Sequence, residues 1–327
     1  MISLQSSRRL ASAAVVIAFV STSSPLHQSR LHAQQSKQQA APPAKAPAGL
    51  DTAAIDRAIG KSGQAMAGDV YRVAFPRSDL SVTVGGVKVK PGFALGSWAA
   101  FKAAGAGASG ARGAVVHGDL VLLDSEVNPV ISALFQHDMQ ITAVHNHLIN
   151  DTPHVSYVHY WGQGDAATLA ANVKDVLSKS KTPISAPPAT PTATSGAAND
   201  DLPADQIQQA IGLKGTVSNG VLALSVPRPE TIQMMGVTLP PSMGMATAIN
   251  FQSAGAGKVA ATGDFVMIAD EVNRVARQLR QHNIGVTALH NHMLHGTPEL
   301  YFMHFWGEGD AQSIATGLKA AIGELKK

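Results

Sequence analysis

Two histidine-rich blocks in this chain could bind metal ions. The first block, residues 145–166, reads HNHLINDTPHVSYVHYWGQGDA, and the second, residues 290–311, reads HNHMLHGTPELYFMHFWGEGDA. In each block, two histidines separated by one residue precede a third histidine at the same spacing. Imidazole is a ligand for Zn, Cu, Fe and Ni, and three protein ligands with an open position are typical of catalytic zinc sites. The candidate metal ligands are His145, His147, His159, His290, His292 and His304.

The spacing predicts that the histidines of one block share a face of a β-hairpin. Side chains alternate between the two faces of a strand, so His145 and His147 project from the same face. If the turn is centred near Thr152, His145 lies opposite His159. Directly opposed residues on antiparallel strands have Cβ atoms about 4.5–5.5 Å apart, which allows two imidazoles to bind one ion. The second block predicts the same construction, with His290 opposite its own third histidine.

The histidines also have a structural interpretation, in which their rings bond polar groups of the sheet itself. Under the metal interpretation, either each repeat binds its own ion or the two repeats share one site. Zn is the expected metal, with Cu, Fe or Ni as alternatives, because imidazole suits all four.

Glu126 and Glu271 occupy equivalent positions at the start of a predicted helix and are the candidate catalytic residues. A carboxylate there could be a fourth metal ligand or a general base in metal-activated water chemistry. The alternative is an acidic first-turn residue that stabilises the helix dipole. Arg77 and Arg228, each after a shared proline, could hold an anionic substrate or could be surface or dipole-capping residues.

The blocks lie within two tandem repeats of one domain. Each repeat is predicted to open with a short helix, residues 52–59 and 204–211, followed by strands with a hairpin at Gly85-Gly86. Gly118-Asp119, which matches Gly263-Asp264, is predicted to join two further strands. A helix over 125–136, strands over 141–148 and 155–161, and a final helix to residue 177 follow. Strands outnumber helices, so we predict an α+β fold in which each domain is a mostly antiparallel sheet with two or three helices.

Composition divides the chain into five segments. Residues 1–33 are predicted to be a secretory signal peptide, because two arginines precede an apolar run too short to span a bilayer. Residues 34–49 form a disordered tether, and residues 178–202 form a linker rich in Pro, Thr and Ala. The repeat domains then span residues 50–177 and 203–327, each long enough to hold its own core.

Charge and cysteine content narrow the class of protein. The chain has no cysteine and a formal net charge of +3. It therefore has no thiolate ligand and no acylated lipobox cysteine, and we expect a periplasmic or secreted protein that does not span the membrane. No long basic run is present, so nucleic acid is not an expected partner; a small molecule or a metal ion is.

The HNH(L/M)…TP…H(Y/F)WG.GDA blocks, the GD…EVN segments and the tandem layout resemble the LppY/LpqO family of exported bacterial proteins. The resemblance covers essentially the whole chain after the signal peptide. It implies an exported protein but no particular reaction. The arrangement of two histidines and then a third is also similar to that of α-acetolactate decarboxylase, which has two related halves and a three-histidine zinc. That similarity implies zinc on His290, His292 and His304, or on the first-block set.

Two functions follow as expectations. The first is an exported metal-dependent enzyme, a lyase or hydrolase, acting on a small oxygen-rich substrate, with Glu126 or Glu271 as the proton carrier. The second is a non-catalytic periplasmic module that binds a metal or a small ligand. An enzyme requires an asymmetric pocket with a carboxylate near the metal, whereas a carrier requires accessible, saturated ligands.

Overall fold

The computed structural model describes residues 46–105, 113–184 and 201–326. Both repeats fall within one compact unit. The signal peptide, most of the tether and residues 185–200 of the linker lie outside the described residues. Within the described residues, no helix is long and apolar enough to cross a membrane.

The first repeat has nine strands and four helices in its described residues. In chain order they are α1 (Thr52–Ile59), β1 (Gln64–Met66), β2 (Val70–Pro76), β3 (Thr83–Val84), β4 (Val87–Lys88), α2 (Pro91–Ala94), β5 (Gly96–Ala103), β6 (Ala114–Leu123), α3 (Asp124–Gln136), β7 (Gln140–His145), β8 (Asp151–Thr152), β9 (Val155–Gly164) and α4 (Ala166–Leu177).

The second repeat follows the same order, with a 3₁₀ turn, Pro241–Met243, in place of α2. Its elements are α5 (Ala204–Ile211), β10 (Thr216–Ser218), β11 (Val221–Pro227), β12 (Gln233–Met234), β13 (Val237–Thr238), β14 (Ala246–Gly255), β15 (Lys258–Met267), α6 (Ala269–Gln281), β16 (Gly285–His290), β17 (Gly296–Thr297), β18 (Tyr301–Gly309) and α7 (Ala311–Ile322).

Each repeat is built on a six-stranded antiparallel sheet, in the order β1-β2-β5-β6-β9-β7 and β10-β11-β14-β15-β18-β16. A three-stranded sheet accompanies each, in the order β4-β3-β8 and β13-β12-β17. The predicted α+β fold of two tandem domains is therefore confirmed. The edge strands β7 and β16 end at the first histidine of each block, the second histidine lies just beyond them, and the neighbouring strands β9 and β18 carry the third.

One face of each large sheet packs on the helices of its own repeat. In the first repeat, alternate residues of β2 such as Val73 and Phe75 join α1, α3 and α4 in one apolar core. The same layer is present in the second repeat, where Phe251 and Phe265 meet α5, α6 and α7. Period-two alternation thus turns the remaining side chains of each sheet away from the helices.

The opposite faces of the two sheets pack against the other repeat. One core cluster joins Trp98 and Trp161 of the first repeat to Met234, Met243 and Phe302 of the second. Most methionines of the second repeat are buried gap-filling residues of this kind, as is common for Met. The repeats that hold the site are therefore stacked in four layers, in the order helices, sheet, sheet and helices.

Hydrogen bonds also join the repeats at both ends of this interface. The side chain of Gln252 donates to the Lys88 carbonyl at 2.7 Å. Near the histidines, Nδ2 of Asn146 donates to the Thr287 carbonyl at 2.9 Å, and Oγ1 of Thr287 donates to the His147 carbonyl at 2.6 Å. The shared Asn of the first histidine block therefore holds the two edge strands together.

Several local predictions match the structure. The opening helices have the predicted bounds, and Asp51 caps the first of them by accepting from the Ala54 amide at 2.9 Å. Gly85 and Gly86 form the turn between β3 and β4, both with positive φ. Asp165 and Asp310 cap the final helices by accepting from backbone amides at 2.9 Å.

The prediction that Gly118-Asp119 joins two strands is wrong. β6 runs unbroken through this pair, as β15 does through Gly263-Asp264. A Cβ at Gly118 would overlap the Trp98 carbonyl and the Tyr160 ring. Glycine is therefore needed for close strand approach, not for a turn.

The predicted hairpin register is also wrong, by two residues. His145 pairs with Tyr157, and Ala143 pairs with His159. A register irregularity between Ile141 and Ala143 accompanies this shift. In the second repeat, Ala288 rather than His290 lies opposite the third histidine. Because the error is an even number of residues, the histidines still share one face.

The described ends of the predicted linker are partly packed. Thr182 is 6% exposed, and the Lys181 amide donates to Oε1 of Glu126 at 2.8 Å. In the second repeat, the Lys326 amide donates to Oε1 of Glu271 at 2.7 Å. Each repeat therefore has a short closing segment that returns to the start of its middle helix.

Candidate metal centre

Pairing across the large sheet places an aspartate beside the third histidine of each block. In the first repeat, Asp119 pairs with His159 on one side and with Trp98 on the other. In the second, Asp264 pairs with His304 and with Ala248. These side chains project from the face that meets the other repeat. A carboxylate is thus added to each predicted histidine set.

Each histidine set and its aspartate form a group with metal-binding geometry. In both groups, one ligand atom from each residue lies within 4.8 Å of all the others. The first group comprises Asp119, His145, His147 and His159, and the second comprises Asp264, His290, His292 and His304. The structure therefore brings together all six histidines predicted from the sequence, as two equivalent groups that could each hold an ion.

The two groups meet face to face at the interface between the repeats. The ring centroids of His145 and His290 are 3.6 Å apart. The ring centroids of His147 and His304 are 3.7 Å apart, and the ring centroids of His159 and His292 are 3.8 Å apart. Each close pair takes one histidine from each repeat. The two groups therefore form one continuous cluster.

Backbone carbonyls fix the orientation of the third histidine in each group. Nδ1 of His159 lies 3.2 Å from the Gly118 carbonyl oxygen, and Nδ1 of His304 lies 2.8 Å from that of Gly263. An Nδ1–H that donates to a carbonyl leaves Nε2 unprotonated, which is the usual state of a metal-bound imidazole. Gly118 and Gly263, which precede the two aspartates, thus orient the histidines on the neighbouring strands.

Many polar atoms in the cluster have no hydrogen-bond partner among the described residues. They include both ring nitrogens of His145, His290 and His292, Nε2 of His147, His159 and His304, and Oδ1 of Asp119 and Asp264. Buried polar atoms are almost always bonded, and an exception calls for an explanation such as a catalytic role, a water or an ion. A divalent cation in either group would coordinate one nitrogen of each histidine and offset the charge of the carboxylate, so the donor set fits a metal.

Burial keeps the histidines neutral. Desolvation, followed by the neighbouring rings, lowers the pKa of His145 to about 3. Desolvation also lowers the pKa of His304 to about 4, although Asp264 opposes the shift. The pKa values of His147, His159 and His292 fall well below the usual value for the same first cause. Neutral imidazole is the form that binds metals.

Burial has the opposite effect on the two carboxylates. It raises the pKa of Asp119 to about 8, with a contribution from Asp264, and raises the pKa of Asp264 to about 6. Side-chain oxygens of the aspartates lie close to the histidines: Oδ2 of Asp264 is 3.1 Å from Nε2 of His292, and Oδ2 of Asp119 is 3.7 Å from Nε2 of His147. A nearby cation would favour the ionised form of both carboxyls.

Aromatic rings hold the middle histidine of each block. Tyr157 stacks on His147 and Phe302 stacks on His292, each with centroids 3.4 Å apart. The Tyr157 hydroxyl donates to the Ala94 carbonyl at 2.9 Å. These middle histidines lie just beyond the ends of β7 and β16, so ring stacking replaces strand pairing as the means of positioning them.

Glu126 and Glu271 lie in a different place from the histidines. Oε2 of Glu126 accepts from Arg77 at 2.7 Å, and Oε2 of Glu271 accepts from Arg228 at 2.7 Å. Each glutamate also accepts from the amide at its own helix N-terminus, at Leu123 or Ile268. The structure thus joins the two predicted catalytic residues to the two shared arginines as buried ion pairs and does not bring them to the metal-binding groups.

A cavity of about 470 Å³ reaches the cluster. Both aspartates and four of the six histidines line it. Residues from both repeats form its remaining walls, including Arg72, Phe93, Trp98, Asn250 and Thr262.

The walls of the cavity are asymmetric although the ligand groups are equivalent. Strand pairing shows which residues of the two repeats are equivalent. Arg72 pairs with Ala100 on β5, and Ala223 pairs with Asn250 at the same position of β14, so Arg72 corresponds to Ala223. In the same way, His117 of β6 corresponds to Thr262 of β15. Arg72 and Trp98 of the first repeat, and Asn250 of the second where the first has Ala100, therefore give the cavity two unlike sides.

His117 adds a third combination of ligands. It lies with His159 and His292 in a group whose ligand atoms are within 4.8 Å of one another. Its Nδ1 is 3.1 Å from the Tyr160 carbonyl oxygen, and its Nε2 has no partner among the described residues.

Sequence reasoning missed Asp119, Asp264 and His117 as site residues. A usable signal was present for the aspartates, because the Gly-Asp pair is shared at the same offset as the histidine blocks. For His117, the only signal is its place two residues before Asp119 on a strand, which puts both side chains on one face.

Other histidines have partners away from the cluster. His154 is exposed, with Nδ1 3.0 Å from Asp151, and His137 caps α3 with Nε2 3.0 Å from Asp175.

Comparison with known proteins identifies a family but no activity. No curated protein and no solved structure matches the chain. The family described as Domain of Unknown Function (DUF1259) matches twice, over residues 53–179 and 205–324. These two matches coincide with the two repeats that share the cluster. The chain therefore belongs to the Domain of Unknown Function (DUF1259) family and carries its domain twice.

Proposed function

We propose that this protein is an exported metal-dependent enzyme, a lyase or hydrolase, whose metal centre lies between its two repeats. Zn is the proposed metal, with Cu, Fe and Ni as the alternatives tested below. Export is proposed from the charged and apolar pattern of residues 1–33. Within the broader family we place the chain with the LppY/LpqO proteins, on the residues that carry that resemblance.

The observation that carries the proposal is the pair of equivalent groups, each with three neutral histidines and one aspartate, that opens on an asymmetric cavity. Three imidazoles and a carboxylate around buried, unbonded nitrogens favour a transition metal over Ca²⁺ or Mg²⁺, which prefer oxygen ligands. The carbonyl contacts of His159 and His304 are the outer contacts that commonly orient metal-bound histidines.

The residues of the cavity wall suggest which steps the metal would assist and which steps the protein side chains would carry out. When bound, a metal such as Zn²⁺ would supply a Lewis acid that polarises a substrate oxygen or acidifies water. Asp119 and Asp264 line the cavity beside the histidines and are placed to accept or return a proton. We therefore propose these aspartates, in place of Glu126 and Glu271, as the proton carriers. The two glutamates hold their helices through Arg77 and Arg228.

A non-catalytic metal-binding module is the second candidate, and the near equivalence of the two groups favours it. A buffer or carrier uses saturated ligand sets and needs no unlike walls. The asymmetric cavity and the aspartates on its wall favour the enzyme.

The test is the metal content of protein purified without a polyhistidine tag, measured by inductively coupled plasma mass spectrometry. We would compare the wild type with His145→Ala, His290→Ala and the double variant. His295→Ala is the matched control, because His295 is an exposed histidine in the loop between β16 and β17 and belongs to neither group. Circular dichroism would verify that each variant is folded.

We expect stoichiometric metal in the wild type and in His295→Ala, and loss in the other variants. If His145→Ala and His290→Ala each lose part of the metal, both groups bind. If either substitution removes all of it, the repeats share one ion. A wild type that contains no metal, and takes up none after addition of Zn, Cu, Ni or Fe, would overturn the proposal.

A further inference from the structure

We propose that Arg72 and Trp98 form an anion-recognition site in the cavity, and that the substrate is a small organic carboxylate. This inference deepens the proposed function and rests on it only for the metal-facing end of the substrate. It assigns the other end of the same molecule to a residue that the metal centre does not use.

Arg72 is unusual among the inner arginines of this chain. Arg77 and Arg228 each donate to two carboxylates, at distances of 2.7–3.3 Å. Arg72, in contrast, neither donates a hydrogen bond nor forms an ion pair with any described residue. Its guanidinium carries five N–H donors. Burial lowers the pKa of Arg72 and the nearby charge of Asp119 raises it, but no carboxylate among the described residues bonds to the guanidinium. A largely buried cation whose N–H groups have no bonded carboxylate indicates a position for an external anion.

Trp98 orients this guanidinium. Cζ of Arg72 lies 4.2 Å from the centroid of the Trp98 ring. The Trp98 ring in turn meets His117 edge-on, with centroids 5.5 Å apart. A guanidinium that lies over an indole ring is held by cation–π attraction and can still donate N–H groups to a planar anion. The stack also fixes Arg72 in place, which reduces the entropy lost on binding.

The cavity connects this stack to the metal centre. Of the described residues that line it, Arg72 is the only arginine or lysine. Both aspartates line the same cavity, together with the apolar side chains of Phe93, Ala94 and Ala248. Its volume of about 470 Å³ is at the smaller end of ligand pockets. One molecule could therefore bind to the arginine while its other end reaches the histidines.

Charge selects among the possible anions. Arg72 supplies one positive charge, whereas Asp119 and Asp264 place carboxyl groups on the same cavity wall. Arg72 is the only arginine or lysine among the described lining residues, so its single charge balances a carboxylate but leaves a dianionic phosphate with an uncompensated charge. A carboxylate also matches the two-donor fork of arginine. We therefore assign the site to carboxylates, with phosphate as an outcome of the test.

The test measures binding rather than turnover. Ligand-observed saturation-transfer NMR would be titrated with lactate and 3-phenyllactate, which differ in size, with the neutral amides of both, and with inorganic phosphate. Arg72→Gln removes the proposed partner, and Arg72→Lys keeps the charge without the fork. Arg277→Gln is the matched control, since it removes one exposed arginine outside the cavity. Melting temperature and metal content would be measured for every variant.

We expect at least one of the two acids to bind the wild type and Arg277→Gln roughly tenfold or more tightly than its amide does. Arg72→Gln should weaken acid binding by a similar factor, with unchanged metal content, and Arg72→Lys should give an intermediate value. Amides that bind as well as the acids, no binding of either acid, or equal affinities in Arg72→Gln and Arg277→Gln would overturn the inference. Tighter, Arg72-dependent binding of phosphate would overturn the assignment to carboxylates.

Repeating the titration after chelator treatment separates this inference from the proposed function. Arg72-dependent acid binding that survives removal of the metal would support the anion site independently of the metal centre. The same binding in a protein that takes up no added metal would support the anion site and overturn the proposed function. A metal-loaded protein with no preference for acids over amides would support the metal centre and contradict the anion site.

Discussion

The two repeats keep the same candidate metal-binding group but differ in the residues that surround it. Each contributes three histidines and an aspartate at matching positions of its sheet. On the neighbouring strands, however, Arg72, Trp98 and His117 stand where the second repeat has Ala223, Ala248 and Thr262.

This difference separates two requirements of the site. The proposed metal centre would draw on both copies of the histidine block, because ring centroids from the two repeats lie only 3.6–3.8 Å apart. Ligand selection needs only one set of walls, because the cavity is shared by the repeats. Strands β2 and β5 of the first repeat can therefore carry Arg72 and Trp98 while the second repeat has alanine at the two equivalent positions.

The largest expected effect concerns a feature that the repeats share. Arg77→Ala and Arg228→Ala should each lower the free energy of unfolding by about 3–5 kcal/mol, because each leaves a buried glutamate without its partner. Urea denaturation would measure both. Arg274→Ala, on the exposed side of α6 beside Glu324, should cost less than about 1 kcal/mol. Unequal losses of unfolding free energy in the two variants would show that the Arg77–Glu126 and Arg228–Glu271 ion pairs do not stabilise their repeats equally.

The glycine before each aspartate should be the next most sensitive position. Gly118→Ala and Gly263→Ala should each cost about 1–3 kcal/mol, as overpacking usually does. The cost should be larger at Gly263, where the nearest atoms are all backbone atoms of Ala248 and Ile249. Gly92→Ala is the control, since nothing lies within 4 Å of its added Cβ. Thermal denaturation would rank the three, and a Gly92 effect as large as the others would refute the steric explanation.

The two aspartates sharpen the comparison at the metal itself. Asp119→Asn and Asp264→Asn should each weaken metal binding by roughly 10–100-fold. The loss should be greater for Asp264, whose Oδ2 is 3.1 Å from His292 compared with 3.7 Å between Asp119 and His147. Competition with a chromogenic chelator gives both affinities, with surface Asp175→Asn as the control. Wild-type affinity in both variants would exclude the aspartates from the centre.

Acid stability should depend on both buried glutamates. Burial alone would raise the pKa of Glu126 and Glu271, but hydrogen bonds from Arg77 or Arg228 and from backbone amides outweigh it and lower both. A lowered folded-state pKa gives stability that is complete above the unfolded value of about 4.3 and is lost as the pH falls through the folded value.

Urea unfolding between pH 7 and pH 3 measures this loss. Glu271→Gln should be less stable at pH 7 and should show a shallower decline below about pH 4.3 than the wild type does. Exposed Glu308→Gln is the control. An unchanged slope in Glu271→Gln would show that this carboxyl does not contribute to acid denaturation.

The smallest effect is expected at His117, which the second repeat replaces with threonine. His117→Thr should change metal affinity by less than roughly tenfold, because each group already has four donors without it. Chelator competition tests this, and Thr262→His is the reciprocal variant. A complete loss of metal in His117→Thr would make the mixed set of His117, His159 and His292 the principal site.

Local pattern was enough to predict much of the fold and the six histidines. Alternation along a strand is a local property, so the shared face of His145 and His147 followed from spacing alone. Caps such as Asp51 and Asp165 were equally local.

Features that depend on pairing between distant strands were not predictable in the same way. Whether Gly118-Asp119 turns or continues depends on the strands on either side of it, β5 and β9, which are remote in sequence. The histidine register depends on an irregularity in β7 and on β8, which pairs with β3 rather than with its neighbour in sequence. Glu126 was attractive by position, but its buried partner Arg77 lies 49 residues away.

The interleaved rings also determine how the centre can form. Neither repeat brings its histidines to their final surroundings alone, so the two halves must meet before the cluster exists. Because one chain carries both halves, that encounter is intramolecular and has an effective concentration set by the connecting segment rather than by the amount of protein. Metal affinity should then stay constant on dilution, and a chain cut between its halves would bind metal only as tightly as the fragments associate.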